Sequence, residues 1–199
     1  MKILIATTNR GKFKGILETL QTFDAEFVSL EDVGITADFE EVGESFAEIA
    51  LGKARFYHGL SGLPTVADDS GIIVDAIAGE LGLKTRRWGA GASASDEEWL
   101  RFFMERMESE SNRAAEFVCA AAYVSGNLEQ VFEGRTRGVI TAEAEAPLYA
   151  GIPLSSVFKP EGYDRVYMAL STEEKQDASH RAKGFCQLLN FLKQANPHQ

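Results

Sequence analysis

Hydrophobic residues in the first half of the chain alternate between short extended runs and helical spacing. The strand patterns cover residues 2–7, 25–29, 64–67 and 71–77, and the helical patterns cover 12–22 and 44–58. In the first helical pattern, Phe13, Ile16 and Leu20 recur at intervals of three and four residues, which is typical of an amphipathic helix. Polar residues 68–70 interrupt the last two strand patterns. This order predicts strands that alternate with helices.

The second half of the chain combines a helix, a hairpin pattern and a final helix. Ser95 and Glu98 form a capping-box pattern, which predicts a helix start at Ser95. A Ser-Gly-Asn turn at 125–127 between two apolar runs indicates a β-hairpin. The predicted elements are a helix from Ser95 to about Met107, strands 115–124 and 128–141, a loop at 142–162, and a helix from an N-cap at Asp177 to about Lys193.

These elements predict an α/β fold with a mixed central sheet. Strands and helices alternate early, which favours parallel pairs, and the hairpin adds an antiparallel pair. A sheet long enough to divide the chain into two lobes would leave an active-site cleft between them. Because 199 residues is the length of one domain, we expect residues 1–199 to form a single domain.

The charge balance narrows the classes of partner. The chain carries 20 Lys and Arg against 30 Asp and Glu, a net charge of −10, whereas polyanion binding needs a basic field. We therefore expect no nucleic-acid partner and no membrane partner, and no apolar run is long enough to span a membrane. Cys119 and Cys186 lie in apolar patterns and are expected to be buried, reduced thiols of a cytoplasmic protein. Because the chain is acidic overall, any anionic ligand must bind in a local basic pocket.

A basic segment, Thr7-Thr8-Asn9-Arg10-Gly11-Lys12, follows the first strand and opens the first helix. Cations at a helix N-terminus oppose the macrodipole unless an anion is bound there. A phosphate would be held by free N–H groups, hydroxyls and Lys12. The alternative is a solvated turn capped by Asn9. The segment lacks the G-x-x-x-x-G-K-[ST] pattern of a Walker A loop.

The last helix repeats this conflict. Ser179-His180-Arg181 places two groups that can carry positive charge in its first turn, shortly after Lys175. Bound phosphate would again stabilise both groups. The alternative is that His180 donates to a backbone carbonyl and Arg181 pairs with Asp177 on the surface.

Lys53 occupies an unusual position for a charged residue. It falls in the middle of an apolar helical stripe that consists of Phe46, Ile49, Ala50, Ala54 and Tyr57. Burial of an unpaired ammonium group is costly. Lys53 therefore either extends to solvent or meets a fixed anion.

Carboxylates supply the opposite charge. Asp68 and Asp69 lie at a predicted strand end, and Glu40 and Glu41 shortly precede the helix of Lys53. Such a pair suits Mg²⁺, which takes one or two carboxylates together with substrate phosphates and water. A turn in which Asp68 makes an Asx bond is the alternative. Three basic elements and one acidic element in an acidic chain predict a pocket for a metal-bound polyphosphate.

Seven segments resemble, in chain order, the motifs of the inosine triphosphate pyrophosphatase (Ham1-like) family. They are residues 7–12, 41–46, 53–54, 67–71, 132–134, 174–176 and 179–181. The resemblance spans nearly the whole chain. It implies Mg²⁺-dependent hydrolysis of non-standard purine nucleoside triphosphates (ITP, dITP, XTP) to the monophosphate and pyrophosphate. It also implies an α/β fold with two lobes about a central sheet, and usually a homodimer.

The resemblance also implies roles for individual residues. Thr8, Asn9 and Lys12 would form the phosphate loop, and Lys53 would be a buried phosphate ligand. Glu41 and Asp69 would bind the metal. The nucleotide would be lined by Ser70 and Gly71, reached by Lys175, and contacted at the base edge by His180 and Arg181. Lys12, Lys53 and Asp69 are the catalytic candidates, and Asp69 would also activate the attacking water.

The loop at 151–158 departs from the family pattern. The family's base-binding loop usually has G-F-G-[YFW]-D-P-I-F, whereas this chain has Gly-Ile-Pro-Leu-Ser-Ser-Val-Phe. Ile152 replaces the aromatic residue and Ser155 replaces the acid, so these two substrate-binding positions imply a shifted base preference. A nucleotide-binding or sensor module with weak turnover is the alternative to an enzyme.

Overall fold

Within residues 1–91 and 93–196, the part of the chain that the computed structural model describes, six strands form one mixed sheet. The strands are β1 (Lys2–Ile5), β2 (Glu26–Ser29), β3 (Thr65–Val74), β4 (Ala114–Ser125), β5 (Leu128–Ile140) and β6 (Phe158–Pro160). Their order is β2-β1-β3-β4-β5-β6. Strand β1 pairs parallel with β2 and β3, and β6 pairs antiparallel with β5. The predicted mixed α/β fold is confirmed.

Four of the five described α-helices begin after a side chain that caps the first turn. The helices are α1 (Arg10–Leu20), α2 (Phe46–Ser61), α3 (Asp96–Met107), α4 (Thr172–Ala178) and α5 (His180–Ala195). Asn9, Ser45 and Ser95 each accept a hydrogen bond from the backbone N–H three residues on, which satisfies one of the free donors of the first turn. The capping box of Ser95 and Glu98 is confirmed. None of the described helices is both long and apolar enough to cross a membrane.

Two predicted boundaries differ in the middle of the chain. Strand β3 continues through residues 68–70, because the polar side chains of Asp68 and Ser70 find partners inside the fold. The predicted interruption of the strand there is wrong. The predicted loop at 142–162 contains a 3₁₀ helix at Pro153–Ser156 and the short strand β6.

Asp177 does not cap the last helix. It lies inside α4, a separate helix whose start is fixed by a capping box of Ser171 and Glu174. Ser179 has an extended backbone and separates α4 from α5. The prediction of one helix from Asp177 is therefore wrong, although the predicted end near Lys193 agrees with α5.

The chain divides into two compact units. The first consists of Met1–Ser70, Cys119–Gly134 and His180–Gln199, and the second of Gly71–Val118 and Arg135–Ser179. The core of the first unit includes Ile3 and Ile5 of β1, Ile16 and Leu20 of α1, and Phe185 and Leu188 of α5. The core of the second unit includes Trp99, Phe103 and Met107, the predicted apolar face of α3. Each such side chain contributes roughly 1.5–3 kcal/mol when fully buried. The single domain over residues 1–199 stays a prediction.

The two cysteines differ in exposure. Cys119 is buried as predicted, and burial raises the pKa of its thiol to about 12. Cys186 is exposed, so that prediction is wrong. It follows the buried Phe185 by one residue, which places it about 100° around the helix and outside the apolar stripe.

Candidate active site

The basic segment after β1 forms the loop that leads into α1. The Asn9 side chain accepts a hydrogen bond from the Lys12 N–H at 3.0 Å, and the Thr7 hydroxyl accepts one from the Asn9 N–H at 3.2 Å. Thr8 is exposed, and the first turn of α1 contains no acidic residue. Asn9 is thus the helix cap. The helix N-terminus and Lys12 together still form a site that favours an anion.

The start of α5 lies against the backbone of β5 within the first unit. A Cβ atom at Gly134 would lie closer than 3.0 Å to the His180 carbonyl oxygen and to the Gly184 nitrogen, and packed atoms do not tolerate such separations. Glycine is therefore required at position 134 for the helix start to come this close. Gly134 sets the position from which His180 and Arg181 project. No role for Gly134 alone is predicted from the sequence.

Asp68 forms the centre of a charge cluster. Its Oδ2 atom lies 3.1 Å from Lys12 Nζ and accepts a hydrogen bond from Arg181 Nε at 3.2 Å. Arg181 Nη2 also donates to the Ser70 hydroxyl at 3.2 Å. Burial alone would raise the pKa of Asp68, but Lys12, Arg181 and Lys53 hold it well below its ordinary value. The carboxylate is therefore ionised, and it joins β3 to the starts of α1 and α5.

Lys53 lies within the apolar stripe of α2, as predicted. The stripe residues Phe46, Ile49, Ala50, Ala54 and Tyr57 are all buried. Lys53 Nζ donates to Glu41 Oε1 at 3.0 Å and to the Asp68 carbonyl oxygen at 3.2 Å. Burial lowers the pKa of Lys53, but the hydrogen bond and the charge of Glu41 outweigh burial and raise the pKa overall. Of the two interpretations, a fixed anion is therefore confirmed.

The segment that carries Glu41 has no regular secondary structure, and two contacts attach it to α2. Phe39 packs over Gly52, where a Cβ atom would lie 3.1 Å from the ring. The Tyr57 hydroxyl donates to the Ala37 carbonyl at 3.1 Å. These contacts hold Glu41 within reach of α2. Neither contact is predicted from the sequence, although the glycine in the middle of the helical pattern was an available signal.

Asp69 lies in a different electrostatic environment from Asp68. Burial raises the pKa of the Asp69 carboxyl group. The positive charges of Lys53 and Lys12 lower this pKa, and the negative charges of Glu41 and Asp68 raise it. The resulting pKa is about 6. A carboxylate with this pKa is ionised at neutral pH and can still accept a proton near it. This combination is common at functional sites.

Glu41 and Asp69 are the carboxylates that could hold a divalent cation. Among residues 1–91 and 93–196, no three or more His, Cys, Asp and Glu side chains group as metal ligands. Mg²⁺ needs only one or two carboxylates when phosphates and water complete its shell. The charge of Glu41 contributes to the raised pKa of Asp69, and a cation would offset this repulsion. The residues present therefore fit such an ion.

His180 does not carry the charge that the sequence suggested. Burial and the neighbouring charge of Arg181 lower the pKa of His180 to about 3. The ring is neutral at physiological pH, so the prediction of two cationic residues at the start of α5 is wrong for His180. A neutral imidazole offers one hydrogen-bond donor and one acceptor.

Four of the predicted site residues belong to the second unit. Gly71 is buried in β3, and Lys175 lies in α4, where its carbonyl accepts from the Tyr167 hydroxyl at 3.2 Å. Ile152 is 46% exposed. Ser155 is buried and donates its hydroxyl proton to the Ile152 carbonyl at 2.6 Å. The Ile152 side chain is thus accessible, whereas the Ser155 hydroxyl proton is already used within the loop.

Known proteins resemble this chain over nearly its whole length. The model of the Ham1 family matches residues 3–191. A dITP/XTP pyrophosphatase of Aquifex aeolicus is 36% identical over 201 aligned positions, which cover 97% of each chain. A dITP/XTP pyrophosphatase of Leptospira interrogans is 33% identical over 192 positions, which cover 96% of this chain and 97% of its own. The structure of a HAM1 protein from Coxiella burnetii matches with a TM-score of 0.87 at 28% identity, over 98% of this chain and 99% of that one.

Proposed function

Because the chain belongs to the Ham1 family, we propose that it is a nucleoside triphosphate pyrophosphatase. The proposed reaction is the hydrolysis of non-standard purine nucleoside triphosphates, namely ITP, dITP and XTP, to the monophosphate and pyrophosphate. This activity would remove such nucleotides from the cellular pool. The similarity to dITP/XTP pyrophosphatases over at least 96% of this chain supports the choice of substrate class.

One observation carries the proposal: cations converge beside carboxylates in a chain of net charge −10. Lys12 and Arg181 share the Asp68 carboxylate, and Lys53 contacts the backbone of the same residue. A polyphosphate is the ligand class that needs both kinds of group. Cations bind its oxygens directly, whereas carboxylates approach it through a metal ion.

Asp69 is the proposed acceptor of a proton from the attacking water. In the metal-free protein its pKa is about 6, which lies in the range of a general base at neutral pH, and a bound cation would lower it. The water oxygen forms a bond to the α-phosphorus, and the bond from this phosphorus to the bridging oxygen breaks. Pyrophosphate leaves with the electron pair, and Lys12 and Lys53 stabilise the charge that develops on it.

Glu41 and Asp69 would hold Mg²⁺. When bound, the ion neutralises charge on the phosphate oxygens. Lys53 donates to the same Glu41 carboxylate, so it orients that side chain and would lie next to the phosphates. Thr8, Asn9 and the N-terminus of α1 would bind the phosphates through hydroxyl, amide and backbone N–H groups.

We expect His180, Arg181 and Ile152 to recognise the base of the nucleotide. The neutral ring of His180 can both donate to and accept from a base edge. We also expect a homodimer in the cytoplasm with no nucleic-acid or membrane partner. The two departures in the 151–158 loop favour a base preference that is shifted from the family pattern.

The test is a panel of nucleoside triphosphates with Mg²⁺ in which pyrophosphate and orthophosphate are measured separately. We expect pyrophosphate and the monophosphate from ITP, dITP and XTP. Orthophosphate with a nucleoside diphosphate would exclude the proposed reaction. Nucleotide binding without release of pyrophosphate would indicate a binding or sensor module of the same fold.

A further inference from the structure

Asp68 lies deeper in the first unit than the two cations that it contacts. Its side chain is 1% exposed, whereas those of Lys12 and Arg181 are 24% and 25% exposed. A single oxygen, Oδ2, meets both cations at 3.1 and 3.2 Å. An anion that arrives from solvent therefore meets Lys12 and Arg181 before it can meet the carboxylate.

The neighbouring Asp69 projects from the opposite face of β3. Side chains alternate along a strand, and Arg181 contacts both Asp68 and Ser70, which are two residues apart. Those two side chains share one face, and Asp69 lies between them in sequence. The two adjacent carboxylates thus have different surroundings and need not share a role.

A role as metal ligand does not suit Asp68. Mg²⁺ keeps bound water and also binds substrate phosphates, so its protein ligands must be accessible to both. Asp68 is almost fully buried beneath two cations. A divalent cation at Oδ2 would lie beside both positive charges and be repelled by them. Glu41, by contrast, is 34% exposed.

We propose that Asp68 is a positioning residue, a buried counter-charge that holds Lys12 and Arg181 in place for the nucleotide, and not a ligand of the metal. The inference rests on the proposed function, because it assigns a role within the same site. Two cations and one carboxylate leave one net positive charge, so the cluster still attracts a phosphate. The carboxylate keeps the cations from repelling each other in the free protein, and it lowers their affinity for other anions.

The substitution Asp68→Asn keeps the shape of the side chain and removes its charge. Inorganic pyrophosphate in metal-free buffer should then bind several-fold more tightly by calorimetry, because the cations lose their partial neutralisation. The kcat for pyrophosphate release from ITP should fall on the order of 10- to 100-fold, because the cations are no longer held in position. The KM should fall with it, and the Mg²⁺ concentration for half-maximal rate should not change. Tighter binding with slower turnover is a combination that a purely structural residue would not produce.

The matched control is Asp69→Asn, the same substitution at the next residue. It removes a proposed metal ligand and should raise the Mg²⁺ concentration for half-maximal rate on the order of tenfold. A second variant, Lys12→Met with Asp68→Asn, removes one cation and the carboxylate together. It leaves the net charge of the cluster unchanged, so it should fold even if Asp68→Asn does not. Its Mg²⁺ requirement should equal that of Lys12→Met alone.

Two results would overturn the inference. One is equal or weaker binding of pyrophosphate by Asp68→Asn, and the other is a Mg²⁺ requirement raised as far as in Asp69→Asn. Failure of the proposed function is a separate result, namely a wild-type protein that releases no pyrophosphate from any nucleoside triphosphate. The metal-free binding of pyrophosphate to the wild-type protein and to Asp68→Asn would still test Asp68 in that case.

Discussion

The substitution Gly134→Ala tests whether the contact between β5 and the start of α5 positions the site. The added Cβ atom would lie closer than 3.0 Å to the His180 carbonyl oxygen and to the Gly184 nitrogen, and 3.0 Å from Lys183 Cβ. Because two of these are backbone atoms, no side-chain rotation relieves the overlap, and the start of α5 must move by about 1 Å. Overpacking of this kind costs about 1–3 kcal/mol. Arg181 would move with the helix, away from Asp68 and Ser70.

We expect two measurable effects of Gly134→Ala. Thermal unfolding followed by circular dichroism should show a Tm lower by roughly 2–12 °C, since the cost is about 1–3 kcal/mol and 1 kcal/mol corresponds to about 2–4 °C in a chain of this size. At a temperature well below that Tm, kcat/KM for ITP should fall on the order of 10²-fold, as expected for a displacement near 1 Å in a site.

Two other glycines give a graded control. A Cβ atom at Gly184 would lie 3.3 Å from the Gly134 nitrogen, and one at Gly59 in α2 would meet nothing within 4 Å. Gly184→Ala should therefore have a smaller effect than Gly134→Ala. Gly59→Ala should stabilise the protein by about 0.5–1 kcal/mol, because alanine loses less backbone entropy in a helix. Wild-type Tm and activity in Gly134→Ala would refute the reasoning.

Three further predictions concern charge and the base-binding loop. Asp69→Asn should lower kcat on the order of 10²-fold or more. The pKa of Asp69 is raised from 3.8 to about 6, so the contribution of its proton to stability is present below pH 3.8 and lost as the pH rises through 6. The free energy of unfolding of this variant at pH 7, measured with denaturant, should therefore be higher by up to roughly 3 kcal/mol, and an unchanged or lower value would contradict the argument from burial. Lys53→Met should raise the KM for ITP and lower the Tm, because Lys53 is paired with Glu41; a higher Tm would show that the ammonium group is a cost to the fold. Ile152→Phe should raise kcat/KM for ITP by about 5- to 150-fold, since stacking on an aromatic ring contributes roughly 1–3 kcal/mol per base, and an unchanged kcat/KM would place base binding elsewhere. Ser155→Asp should mainly lower the Tm because it buries a carboxylate.

Features that depend on neighbouring residues could be predicted from the sequence. The stripe around Lys53 follows from helical periodicity over a dozen residues, and the start of α3 follows from Ser95 and Glu98. Each pattern is complete within a single helix. Their physical causes are local, so the structure agrees with them.

Features that depend on contacts between distant segments could not be predicted in this way. The polar residues 68–70 predict an interruption of the strand, but Arg181, 113 residues away, supplies a partner for Asp68 inside the fold. The neutral state of His180 has a similar origin, since its pKa depends on burial that only the folded chain creates. The role of Gly134 depends on how closely another element approaches it.

The alternation of side chains along β3 has a consequence for changes in chain length. A one-residue insertion within β3 before Asp68 would turn each following side chain to the opposite face. Asp69 would then share a face with the former position of Ser70, and Asp68 would leave Lys12 and Arg181. Both aspartates would still be present, yet Asp68 would take the former position of Asp69, and Asp69 would take that of Ser70. Insertions and deletions at this point of the strand should therefore be tolerated far less than substitutions of its apolar residues.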